Sequence, residues 1–248
     1  NGAAPERIQT IYNGPDPAEF TPVLEPRPAG EPPTVVWLGR IDPLKDLETL
    51  IRAASIVHGQ MPHVRFVLYG KAPRGNEWYY ERCVKLRDSL GLQHAVIFAG
   101  FAASAAAAYN EGDFVLLSSI SEGFPYSVVE AMMCARPVIG ADVGGVSEAL
   151  EGCGLVVEPR NPEQMAAACL QLLAAPERCR QMGLQARAKA LERFSLQQCN
   201  AAYLAAFQHL TIDARLRRRQ QALAAQPAGQ PEAARPELAH GMESGGQP

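Results

Sequence analysis

Three short stretches hold the side chains best suited to chemistry, and each follows an apolar run of strand length. The first is Gly39-Arg40-Ile41-Asp42-Pro43-Leu44-Lys45. Its glycine permits close approach to the backbone, and its two cations, five residues apart, can converge on one anion. Arginine offers a two-pronged donor fork and lysine a point charge, a combination suited to a diphosphate. Two solvated surface cations would leave the same trace. The second stretch is Ser121-Glu122-Gly123-Phe124-Pro125-Tyr126-Ser127-Val128-Val129-Glu130. Ser127 and Glu130 have the S-x-x-E spacing of a capping box, which predicts a helix running on through Ala131–Met133. A helix start beside a glycine-containing loop aims unpaired N–H groups and a positive dipole end at any anion nearby. Glu122 is not needed for that cap. With Glu130 it can accept hydrogen bonds from the hydroxyls of a sugar or a ribose. The third stretch is Asp142-Val143-Gly144-Gly145-Val146-Ser147-Glu148, whose glycine pair reads as a tight turn.

The elements that must position these stretches follow from the apolar pattern. Short unbroken apolar runs occur at Val35–Leu38, Val64–Tyr69, Ala95–Phe98, Phe114–Leu117, Val138–Gly140 and Leu155–Val157. Such runs suit parallel strands buried on both faces. Helix-period stretches lie between them: Leu47, Leu50, Ile51, Ala54 and Val57 behind an Asp46 cap, and a more polar helix over 77–90 ending at Gly91. Asn161-Pro162-Glu163-Gln164 combines an N-cap, a first-turn proline and a third-position glutamine. Three closing helices are predicted at about 162–174, 177–192 and 196–210. Strands alternating with helices imply βαβ units and an α/β, Rossmann-like doubly wound parallel sheet. In such a sheet, ligands bind beyond the carboxyl ends of the strands, where all three stretches fall.

The ends of the chain have a different composition. Residues 1–33, rich in Pro, Gly and Glu, read as a linker, with one short strand at Ile8–Tyr12. Arg215, Arg217, Arg218 and Arg219 form a basic cluster expected to follow the last helix, within a tail from 211 to 248. From about 220 that tail is Ala-, Gln-, Pro- and Gly-rich and is expected to be disordered. The chain opens Asn-Gly-Ala-Ala-Pro without an initiator Met and is expected to be part of a longer one.

Composition narrows the function classes. Of the 248 residues, 47% are hydrophobic and 20% charged, an ordinary globular balance, and the formal charge of −3 implies no global attraction to nucleic acid. No apolar run approaches the roughly 20 residues needed to span a bilayer. The six cysteines are at least ten residues apart with no C-x-x-C, which suggests neither a zinc site nor a disulfide framework and fits a cytoplasmic setting. No H-E-x-x-H, nucleophile elbow, Walker loop or G-x-G-x-x-G fingerprint occurs, which weakens the zinc-protease, hydrolase, P-loop and NAD-oxidoreductase readings. No D-x-D motif is present to hold a metal, so no metal is expected.

Taken jointly, G-R-x4-K (Gly39, Arg40, Lys45), E-x7-E (Glu122 to Glu130) and the later Gly144-Gly145 turn resemble the nucleotide-binding half of retaining GT-B glycosyltransferases of family 4. The resemblance covers about residues 7–210. The runs W-L-G-R-I-D-P-L-K-D and S-I-S-E-G-F-P-Y-S-V-V-E-A-M look closest to the Pel-type exopolysaccharide enzymes. The resemblance implies that Arg40 and Lys45 bind the donor diphosphate, helped by amides around Tyr126, Ser127 and Val128. It implies that Glu130 holds the ribose hydroxyls, and that Glu122 with the Gly123-Phe124 backbone contacts the transferred sugar. The base would lie near Phe98, Gly100 and Phe101. Glu122, Arg40 and Lys45 are thus the expected catalytic residues, and the donor is a nucleotide diphosphate sugar, UDP-sugar favoured, with no other cofactor.

The resemblance further implies an N-terminal half, outside residues 34–210, that receives a glycan or lipid-linked acceptor, and an association with the inner face of the plasma membrane. The chain departs from the family pattern twice: Asp46 stands where many members have glycine, and Pro125 replaces a frequent glycine and removes an N–H donor. Three rivals remain: a non-catalytic nucleotide-sugar-binding module, a GT-B sugar epimerase, and a glycosidase using Glu122 and Glu130 as its acid pair. An epimerase is not expected to carry E-x7-E, and a glycosidase fits poorly with a glutamate already engaged in a cap.

Overall fold

The computed structural model describes residues 8–224, apart from Pro26 and Ala29. The chain divides into two units, the first ending at Tyr203 and the second beginning at Leu204. The first unit is built on six parallel strands: β1 (Thr34–Leu38), β2 (Arg65–Tyr69), β3 (Val96–Gly100), β4 (Phe114–Leu117), β5 (Val138–Ala141) and β6 (Leu155–Val157). Each coincides with a predicted apolar run. The strand order is β3-β2-β1-β4-β5-β6, the doubly wound Rossmann-like arrangement expected. β1 pairs with β2 on one side and β4 on the other, so the winding reverses between β1 and β4. The crossovers leave in opposite directions there and open a crevice at the carboxyl edge.

Alternation along β1 sorts its side chains between two cores. Val35 and Trp37 enter one with Leu50 and Ile51 of α1 (Leu47–Gln60), Cys83 of α2 (Glu77–Ser89) and Met165 of α6 (Pro162–Leu173). Val36 enters the other with Tyr109 of α3 (Ala105–Glu111), Val129 of α4 (Tyr126–Met133), Val146 of α5 (Val146–Leu150) and Ala186 of α7 (Pro176–Arg193). Burying each large apolar side chain contributes roughly 1.5–3 kcal/mol, so both sheet faces must be covered. The caps form as the residue types require. Asp46 carboxylate oxygens accept from the Thr49 amide at 3.4 Å and hydroxyl at 2.7 Å, and Asn161 accepts from the Gln164 amide at 2.9 Å. Asp46 sits at φ 44, a left-handed conformation that Asp tolerates better than most residues and that explains why glycine also serves there. All six cysteines are free and buried.

Two expectations are corrected. Ile8–Tyr12 forms no strand. The segment instead runs over the first unit by side-chain contact, with the Tyr12 ring 4.7 Å from Phe124 and 5.2 Å from Phe194, and with Phe20 buried. The last helix, α8 (Leu196–Ala224), does not stop near 210, so Arg215, Arg217, Arg218 and Arg219 lie within it rather than beyond it. Alanine, leucine, arginine and glutamine, all good helix formers, continue without a breaker. The predicted disorder from about 220 falls outside the described residues, except that 220–224 belong to α8.

Candidate functional site

The segment after β1 turns back through a short 3₁₀ turn at Pro43–Lys45, capped by the Asp42 carboxylate, which accepts from the Leu44 amide at 3.0 Å. The segment after β4 is fastened to it. Ser118 Oγ donates to the Lys45 carbonyl at 2.7 Å, and the Ile120 amide donates to the Leu44 carbonyl at 2.9 Å. Across this junction Lys45 Nζ lies 2.6 Å from Glu122 Oε1, with the two side chains only 18% and 12% exposed. Two residues singled out on separate grounds therefore meet as a largely buried, charge-assisted pair. Arg40 stands apart: its side chain is 74% exposed, and its only ion-pair partner among the described residues is Asp42, at 3.6 Å.

The expected capping box is absent. Pro125 is the N-cap of α4 with no side-chain hydrogen bond, and Ser127 is already the second helical residue. Proline at φ −77 and ψ 121 supplies the extended conformation an N-cap needs, which displaces the serine by two positions. Among the described residues the Tyr126 and Ser127 amides meet no acceptor, leaving α4 with donors open at its start. Glu130 does not reach back to a cap either. Its Oε2 accepts from the Tyr109 hydroxyl at 2.8 Å. Burial pushes the Glu130 carboxyl above its ordinary range, partly opposed by that hydrogen bond. Among the described residues Glu130 is bonded to Tyr109 of α3 and not to Lys45 or Glu122.

The glycine turn is a brace for the Glu122 loop. A Cβ on Gly144, whose φ is +54, would stand 2.1 Å from the Glu122 carbonyl oxygen. The Gly145 amide donates to the Gly123 carbonyl at 2.7 Å, so the loop is clasped to the start of α5. Toward the other side of the crevice, the Gly70 amide donates to the Gly100 carbonyl at 2.7 Å. A Cβ on Gly70 would collide with the Gly39 carbonyl oxygen at 1.8 Å. This bare stretch of backbone floors a cavity of about 200 Å³ walled by Ile41, Lys71, Tyr80, Phe98 and Gly100. Phe98 and Gly100 are thus at a concave surface, while Phe101 is exposed beside Lys71, whose Nζ is 5.8 Å from its ring centre.

Every candidate residue lies at the carboxyl edge of the sheet. A larger cavity, about 410 Å³, opens at the other edge beside Pro33, Asp113 and Arg136, which precede β1, β4 and β5. None of the candidate residues lines it. Sequence reasoning missed Tyr109, Ser118 and the bracing role of Gly144. The Ser118-Ser119 pair directly after an apolar run was a usable signal for a polar strand end, whereas Tyr109 had none. Among the described residues no helix is long and apolar enough to cross a membrane.

Comparison with known proteins agrees with this geometry. Residues 32–175 match the family described as Glycosyl transferases group 1. D-inositol 3-phosphate glycosyltransferase of Segniliparus rotundus is 33% identical over 191 residues, spanning 73% of this chain and 42% of its own. The Rhodococcus erythropolis enzyme of the same name is 33% identical over 210 residues, 78% of this chain and 46% of its own. The chain thus spans less than half the length of these relatives. Among solved structures, Anabaena Alr3699/HepE in complex with UDP-glucose superposes with a TM-score of 0.75 at 25% identity, covering 84% of this chain and 59% of that one. Sucrose-phosphate synthase from Thermosynechococcus elongatus gives 0.73 at 26% identity, covering 82% and 52%. With a matched family region that runs from just before β1 to just before α7 and contains all three candidate stretches, the chain belongs to the group 1 glycosyltransferases and has their GT-B type of Rossmann-like domain.

Proposed function

We propose that the chain is the donor-binding half of a retaining, metal-independent glycosyltransferase of the family 4, Pel-like kind. It moves a sugar from a nucleotide diphosphate sugar, UDP-glucose favoured, to a glycan or lipid-linked acceptor in polysaccharide synthesis at the cytoplasmic face of the membrane. The observation that carries this reading is the meeting of Lys45 and Glu122 at 2.6 Å where the winding of the sheet reverses. A cation for phosphate and a carboxylate for sugar hydroxyls sit side by side, as a sugar diphosphate requires.

The chemistry follows from charge. Breaking the anomeric bond leaves negative charge on the departing diphosphate. Lys45 and the open amides of Tyr126 and Ser127 are preorganised donors for that charge, and the exposed Arg40 is a further cation for it. Glu122 takes the transferred sugar, with the Gly123-Phe124 backbone beside it. Glu130 takes the ribose, and the cavity at Phe98 and Gly100 takes the base. UDP is favoured because the HepE structure, similar over most of this chain, holds UDP-glucose. The acceptor has a second reading, since the curated relatives are named for D-inositol 3-phosphate.

Calorimetric titration with UDP-glucose, UDP, GDP and ADP tests the donor assignment. The expected result is that UDP-glucose and UDP bind most tightly, and that Lys45→Ala weakens UDP by about 10- to 150-fold while leaving uridine unchanged. Equal losses for uridine and UDP would remove Lys45 from the phosphates. Transfer assays offering a glycan or D-inositol 3-phosphate as acceptor separate the two acceptor readings.

A further inference from the structure

We propose that Tyr109 is the positioning residue for the nucleotide-binding carboxylate: its hydroxyl fixes the rotation of Glu130 so that the ribose diol meets a preset acceptor. The inference rests on the reading above that Glu130 holds the ribose. Tyr109 lies on α3, is fully buried, and packs in the core with Val36 and Val115. Its hydroxyl donates to Glu130 Oε2 at 2.8 Å. A phenylalanine would fill the same space, so the one chemical difference made by tyrosine is this donor. Burial and the neighbouring carboxylate raise the phenol far above its ordinary range, so it stays protonated and remains a donor.

A carboxylate on a half-turned helix side chain can rotate about its last bond, and two vicinal hydroxyls need both oxygens in a defined plane. With Oε2 held by Tyr109, that plane is set. Each carboxylate oxygen has two lone pairs, so Oε1 and the second lone pair of Oε2 remain for the two hydroxyls. The same bond counters the effect of burial, which pushes Glu130 toward its neutral form. A protonated carboxyl would offer one oxygen as a donor and lose half of its accepting capacity. Tyr109 thus orients the group and favours its anionic form, without touching the nucleotide itself.

The test compares a nucleoside diphosphate with its 2′,3′-dideoxy form, because a merely structural tyrosine would not alter their ratio. UDP, GDP and ADP are titrated into the 248-residue chain, and the tightest is then paired with its dideoxy analogue. The unaltered protein should prefer the ribose form by about 10- to 100-fold. Glu130→Gln should bring that ratio close to one. Tyr109→Phe should weaken the ribose form by about 3- to 10-fold and leave the dideoxy form unchanged. If Glu130→Gln erases the preference while Tyr109→Phe lowers only the melting temperature, Tyr109 is structural and the inference falls, with Glu130 left in place. If Glu130→Gln keeps the preference, or none of the three nucleotides binds, the ribose assignment falls and takes this inference with it. Should Tyr109→Phe not fold, Tyr109→3-fluorotyrosine retains ring and hydroxyl but makes a stronger donor. The ratio should then rise, and an unchanged ratio would overturn the proposal.

Discussion

Glu122→Gln is the most informative single change, because the structure pairs Glu122 with the very cation a diphosphate needs. At 2.6 Å, the attraction between Lys45 and Glu122 is about 6 kcal/mol in a medium of effective dielectric near 20. Desolvation and side-chain entropy cancel most of it. With exposures of 18% and 12%, the pair falls between a surface bridge and a fully buried one. A net coupling of about 1–3 kcal/mol follows. An arriving diphosphate must share Lys45 with this carboxylate and also bear its repulsion. Neutralising Glu122 should therefore tighten UDP by about 5-fold or more, to a ceiling near 150-fold, and leave uridine unchanged. UDP-glucose should gain less than UDP, since its sugar loses a charged acceptor. Calorimetry with uridine, UDP and UDP-glucose measures all three. Repeating it in a Lys45→Ala background closes the cycle, where most of the gain should vanish. Weaker UDP binding by Glu122→Gln, or equal tightening of uridine, would refute the claim that the pair guards the phosphate site. A full gain without Lys45 would reduce the effect to plain repulsion.

Arg40→Ala should weaken UDP by about 10-fold without moving the melting temperature, because the side chain is 74% exposed and only its Asp42 contact is lost. Gly144→Ala should destabilise the protein by about 1–3 kcal/mol in denaturant melts. It should also weaken UDP-glucose more than UDP, since the new Cβ, 2.1 Å from the Glu122 carbonyl, displaces the sugar-side loop. Glu130 carries a pH signature. Its folded-state pKa is raised from 4.5, so the native state keeps a proton that the unfolded state has lost. Stability should therefore fall as pH rises from 4.5 through the raised value, and Glu130→Gln should remove that slope in thermal melts. Across the same window UDP affinity should rise with pH, as the carboxylate becomes an acceptor.

The sheet was legible because its strands are covered on both faces, which leaves unbroken apolar runs such as Phe114–Leu117, buried along its whole length. The placing of Gly39, Arg40 and Lys45 in one loop after β1 was legible, because they are local in sequence. Contacts made through space were not. Nothing local to Tyr109 marks its bond to a carboxylate 21 residues away. The pattern Ser127-x-x-Glu130 misled because a capping box describes spacing alone. Pro125 took the cap by its fixed φ, and a buried phenol took the carboxylate. Ile8–Tyr12 has strand composition but pairs with no strand, and Tyr12 is instead held by the rings of Phe124 and Phe194. Composition sets what a segment can do, and the partner it meets decides which option is used.

The partners also explain why the two glutamates of one short segment divide their labour. β1 and β4 are neighbours in the sheet although three α-helices and two strands separate them in sequence. Parallel pairing places both of their carboxyl ends at one edge, so loops 77 residues apart are joined there by Lys45 and Glu122. That partner is a cation, which the phosphates of the proposed donor can draw away. Glu130 stands just over one turn into α4 and meets a neutral phenol from α3, anchored in the core. On the proposed reading this bond stays in place when the nucleotide arrives, because the phenol is buried in the core. On that reading, the first glutamate exchanges its partner during binding and the second keeps it. A rigid acceptor suits a ribose common to every donor, and a releasable one suits a sugar that must arrive, react and leave.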